Sequence, residues 1–99
     1  MPAGYSVVNL GKQLEWLTGG YLKANFHEVV HTDATEAARV KAEQEGRSVW
    51  RVASTMFCAV EGSMSLRTLD PFRTEESEKI YPDVTADEQI RREFGSYQL

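Results

Sequence analysis

Apolar side chains recur at Val7, Leu10, Leu14, Leu17 and Tyr21, a three-four spacing that predicts one face of a helix. Ser6 or Asn9 can cap its start, and Gly19-Gly20 is a plausible stop. Leu22 to Val30 then reads as a strand. Asp33 with Glu36 spells a D-x-x-E capping box, opening a helix to about Glu45 that Gly46 can close in the left-handed C′ position. The buried face of that helix is expected to be small: Ala34, Ala37, Ala38 and Ala42, with Val40 at the margin. Ser48 to Ser54 alternates as the next strand, with Trp50 and Val52 on one side and Val49 and Arg51 on the other. Trp50 and Val52 are expected to pack on Phe26 and the alanine face.

The apolar run Met56–Val60 predicts more strand, Glu61-Gly62 a tight turn, and Ser63–Leu69 a return strand with Met64, Leu66 and Thr68 on one side. Asp70-Pro71 breaks the pattern, and the stretch from Phe72 to Asp83 is polar and acidic. A second capping box, Thr85 to Glu88, opens a helix over 85–94 whose apolar face is Ala86, Ile90 and Phe94. Together these elements predict an α+β fold in a single small domain of order α-β-α-β-β-α. It has a three- or four-stranded sheet with an Ala-rich helix on one face. The core falls in residues 1–69, and 70–99 form an acidic C-terminal arm of the same domain. Phe72, Ile80, Tyr81, Val84, Tyr97 and Leu99 are its isolated anchors.

At 99 residues the chain has room for one modest core, and 41% hydrophobic with 26% charged residues is an ordinary globular balance. Cys58 is alone, so neither an intrachain disulfide nor a Cys-rich metal site is expected. Met1-Pro2-Ala3-Gly4 lacks a basic segment followed by an apolar run, and nothing approaches a membrane-spanning length. Both point to a cytoplasmic protein. Charge is segregated: residues 1–69 hold seven basic and seven acidic side chains, and 70–99 hold four basic and eight acidic, so the whole net −4 lies in the arm. That balance makes nucleic acid an unfavoured partner and suits a protein partner with a basic surface.

Three chemistries remain for the site. His27-Glu28-Val29-Val30-His31 spells H-E-x-x-H, which on a helix would place His27 and His31 on one zinc ion with Glu28 as general base. The flanks oppose this, because Thr32-Asp33 starts a new helix where the motif helix should continue, and Val29-Val30 favours strand. Glu36, Glu43 or Glu45 could supply a carboxylate ligand, but no spacing singles one out. Arg47, Arg51 and Arg67 offer a fainter nucleic-acid patch. The leading expectation is a non-enzymatic protein-interaction module, such as an inhibitor, adaptor or accessory subunit, with no cofactor. Its candidate contacts are Trp16, Glu75, Glu76, Glu78, Tyr81 and Phe94. The segment 24–54, a strand, a capped Ala-rich helix and a W-x-V strand, resembles many small α/β modules, small phage-encoded inhibitors among them. That likeness implies no particular site.

Overall fold

The computed structural model describes residues 3–95. Among them are four α-helices, α1 Lys12–Leu17, α2 Asp33–Gln44, α3 Glu75–Ile80 and α4 Ala86–Gly95, with a 3₁₀ turn at Asp70–Phe72. The expected three- or four-stranded sheet is absent among the described residues, so the fold is helical and not α+β. Its only β pairing there is an isolated antiparallel bridge between Ser65 and Thr85. The chain divides into two compact units, one running to Asn25 and resuming at Cys58, the other being Phe26–Phe57.

In the first unit, α1 is shorter than its apolar stripe. Gly11 occupies the N-cap with an extended backbone (φ −108°, ψ 178°), which cuts Val7 off the helix and leaves it exposed. The predicted stop holds: Gly19 and Gly20 both adopt positive φ, 57° and 82°. The Thr18 hydroxyl donates to the Leu14 carbonyl at 2.8 Å and accepts the Leu22 N–H at 3.1 Å, turning the chain back along the helix end. Thr68 Oγ1 then donates to the Trp16 carbonyl at 3.1 Å, and the Leu69 N–H to the Leu17 carbonyl at 2.9 Å. These bonds satisfy carbonyls that a helix C-terminus otherwise leaves without partners.

The expected hairpin of 56–60 with 63–69 does not form. Residues 64–66 pair instead with the approach to α4: the Leu66 N–H bonds the Val84 carbonyl at 2.8 Å and the Ala86 N–H bonds the Met64 carbonyl at 2.9 Å. This alternative uses the N–H groups that α4 cannot satisfy internally, and it sets Leu66 and Ala86 in the core, both fully buried. Thr85 caps α4 as expected, its hydroxyl accepting the Glu88 N–H at 3.2 Å. α3 lies in the stretch expected to be merely polar. Thr74 and Ser77 form a reciprocal capping box around its first turn, where Glu75, Glu76 and Glu78 also suit the helix dipole. Tyr81 follows α3 and is buried with Ser77 and Thr68. The expected anchors Tyr97 and Leu99 lie outside the described residues.

In the second unit, α2 starts and stops where the sequence predicts, although Thr32 and not Asp33 is the cap. Its hydroxyl accepts the Thr35 N–H, and the Thr35 side chain answers to the Thr32 N–H. Gly46 takes the left-handed conformation past the end (φ 70°). The alanine face is a correction: only Ala42 is buried, and Ala34, Ala37 and Ala38 are exposed. The strands expected at Leu22–Val30 and Ser48–Ser54 are not there either. Residues 47–61 run as open chain without helix, strand, turn or bend, and so does 26–31. Alternation supplies a strand with two faces, but a ladder also needs a neighbour and something large enough to cover it. Alanine methyls offer little area for that purpose.

Candidate interaction surface

Most large apolar side chains of the second unit are exposed. Trp50 is 85% exposed, Val52 91% and Phe57 91%, with Met56, Val49, Val29 and Phe26 also open to solvent. The expected packing of Trp50 and Val52 on Phe26 and the alanines is therefore overturned. Among the described residues, no backbone–backbone hydrogen bond falls within 26–31 or 48–57, and the Trp50 N–H bonds only the neighbouring Ser48 hydroxyl at 3.1 Å. The run thus combines exposed hydrocarbon with main-chain donors and acceptors that no other segment uses. Contiguous apolar exposure of this kind marks interaction sites on soluble proteins, whereas singly scattered residues do not. Free main-chain groups allow a second chain to add as a strand.

The segment His27–His31 is not helical. Its imidazoles therefore lack the one-turn spacing on which zinc binding through H-E-x-x-H depends. His31 Nε2 stands 3.4 Å from Glu36 Oε2. Glu36 also chelates Arg39, which reaches on to Glu43 at 2.7 Å. The hydrogen bond from Arg39, first, and then the charges of Arg39 and His31 outweigh desolvation and hold the Glu36 carboxyl below its ordinary value. Phe26, His27 and Glu28 line an open hollow of about 330 Å³. Among the described residues no three His, Cys, Asp or Glu side chains gather closely enough to hold a metal ion.

The arginines are partly spoken for. Arg47 pairs with Glu45 at 2.6 Å and Arg67 with Glu78 at 3.4 Å, while Arg51 makes no ion pair among the described residues.

The six candidate contact residues fall into different environments. Tyr81 is only 7% exposed. Trp16 is half-buried and meets the Tyr81 ring edge-on, with centroids 5.6 Å apart. Glu78 is engaged by Arg67 and, at 3.6 Å, by Arg73. Glu75 and Glu76 are exposed on the first turn of α3, and Phe94 is 70% exposed on α4. The structure brings Trp16 and Tyr81 together, as part of the first unit's interior.

A polar cluster at Tyr81 escaped the sequence reading. Glu15 Oε1 accepts the Ala24 N–H at 2.8 Å and Oε2 accepts the Tyr81 hydroxyl at 2.8 Å, while Lys23 Nζ donates to that same hydroxyl at 3.3 Å. Burial pushes the Glu15 carboxyl upward, but the bonds from Ala24 and Tyr81, with the charges of Lys12 and Lys23, bring it below its ordinary value. Tyr81 moves the opposite way, raised by burial first and then by its bond to Glu15. Nothing in the spacing of Glu15, Lys23 and Tyr81 signals this cluster, because it depends on α3 delivering Tyr81 to α1.

Comparison with protein-family models, with curated proteins and with solved structures finds no match for this chain.

Proposed function

We propose that this chain is a non-enzymatic protein-interaction module that binds a protein partner through the open run Ser48–Phe57. One observation carries the reading: Trp50, Val52, Met56 and Phe57 are all exposed on a segment whose main chain pairs with no other segment. Tryptophan is a frequent energetic anchor of protein interfaces, and burying each large apolar side chain contributes about 1.5–3 kcal/mol before the costs of association. The acidic arm keeps a lesser part. Tyr81 belongs to the first unit's interior and Glu78 to ion pairs, which leaves Glu75 and Glu76 to steer a partner with a basic surface during encounter.

Photocrosslinking in the cells that make the protein tests this. A photoreactive side chain in place of Phe57 should yield protein adducts, and one in place of Glu75 should yield far fewer. Absence of adducts at position 57, or adducts confined to position 75, would contradict the reading.

A further inference from the structure

We propose that the Arg51–Val52 peptide bond is a cleavage site for an endopeptidase whose specificity pocket takes a basic side chain, and that the first unit stays assembled after the cut. The bond is open to such an enzyme whether or not the run binds a partner.

An endopeptidase cleft takes its substrate in extended form, through main-chain hydrogen bonds and pockets for side chains. The residues on either side of the bond must therefore be exposed and unpaired, and folded chains are nicked where burial and backbone bonding permit it. Ser48 to Thr55 meets this condition. Every residue is exposed, and none lies in a helix, strand or turn. Among the described residues the Trp50 N–H, bonded to the Ser48 hydroxyl at 3.1 Å, is the only main-chain group of this stretch with a partner. Arg51 makes no ion pair among the described residues, so its guanidinium is free to enter an acidic pocket.

The other basic residues are withheld by structure. Lys12, Arg39, Lys41, Lys79, Arg91 and Arg92 lie within helices. After Lys23 the Ala24 N–H donates to Glu15 Oε1 at 2.8 Å, and Lys23 Nζ itself donates to the Tyr81 hydroxyl at 3.3 Å. Arg47 follows the end of α2 and the left-handed Gly46, so no extended chain precedes it. Arg67 is flanked by the buried Leu66 and Thr68. The Thr74 N–H, the nitrogen of the bond after Arg73, donates to Ser77 Oγ at 2.8 Å. Aromatic specificity would not single out one bond, because Phe26, Trp50 and Phe57 are all exposed.

Hydrolysis adds one water across the Arg51–Val52 amide, leaving a carboxylate on Arg51 and an ammonium group on Val52. The first unit then holds the fragments together without a covalent link. The Val60 N–H donates to Gln13 Oε1 at 2.8 Å, Thr68 Oγ1 to the Trp16 carbonyl and the Tyr81 hydroxyl to Glu15 Oε2, each joining a residue before the cut to one after it. The cut falls between Trp50 and Val52, so it also divides the proposed contact run.

Limited digestion of the purified full chain with trypsin, read by intact mass and native size-exclusion chromatography, tests this. We expect the first products to be 1–51 and 52–99, eluting together and separating only in denaturant. Cleavage should run within about tenfold of the rate on a synthetic peptide of residues 44–58, because a site already open needs no prior opening. Arg51→Gln should slow the first cut at least about tenfold, since an uncharged side chain does not satisfy an acidic pocket. Arg47→Gln should leave the cut at 51 unchanged. A first cut at any other basic residue, a rate about a hundredfold or more below that of the peptide, or fragments that elute apart without denaturant would overturn the proposal.

Discussion

The Tyr81 hydroxyl donates to Glu15 Oε2 at 2.8 Å, tying the residue after α3 to the middle of α1 across 66 positions of sequence. The bond also fixes the loop after α1, because the same carboxylate accepts the Ala24 N–H. Removing the hydroxyl in Tyr81→Phe leaves Glu15 Oε2 and Lys23 Nζ without this partner. A loss of about 1.5–3 kcal/mol follows, the range for a hydrogen bond to a charged group. Urea unfolding should show it as a lower midpoint with an unchanged slope.

The same pair sets two pH limits. The folded Glu15 carboxyl lies below its ordinary value, so its stabilisation is complete above that ordinary value and is lost as pH falls through the lowered one. Tyr81 lies above its ordinary value, so its share is complete below that value and disappears as pH rises through the raised one. Stability measured against pH should therefore decline at both ends, and Glu15→Gln should flatten the acid limb.

Gly20 and Gly46 separate two costs of replacing a glycine. Both have positive φ, but a Cβ on Gly46 meets open space, whereas one on Gly20 would stand 2.9 Å from the Tyr81 hydroxyl. Gly46→Ala should cost about 1–2 kcal/mol from left-handed strain alone. Gly20→Ala should cost more and disturb the Trp16–Tyr81 contact, detectable as a change in near-ultraviolet circular dichroism.

The orientation of α2 is open to a paired substitution. Ala38 is exposed and Ala42 is buried. Ala38→Leu should shift stability by less than about 0.5 kcal/mol, and Ala42→Leu should cost about 1–3 kcal/mol by overpacking. Equal effects in thermal melts would mean the helix is rotated differently.

Local chemistry was legible in the sequence wherever a helix carries its own boundary. Gly46 ends α2, Thr85 starts α4 and Gly19-Gly20 ends α1 because capping needs only neighbours a few residues away. Helix α3 was missed although Thr74 and Ser77 cap it, since six mostly charged residues show no apolar period. The sheet was mistaken for a different reason. Alternation at Val49–Met56 states which faces a strand would have and is silent on what pairs with it, so an exposed, unpaired run reads like one inside a sheet. Of the candidate contacts, the charge of Glu75 and Glu76 was readable as exposed. The burial of Tyr81 was not, because it depends on Trp16 and Glu15 far away in sequence.

Amide hydrogen exchange over residues 51–57 in dilute, purified protein tests the central claim most directly. These amides have no internal partner among the described residues, so they should exchange at nearly the rate of an unstructured peptide and become protected when protein binds the run. Strong protection in the dilute monomer would contradict the account, since it would place this segment in a sheet within its own chain.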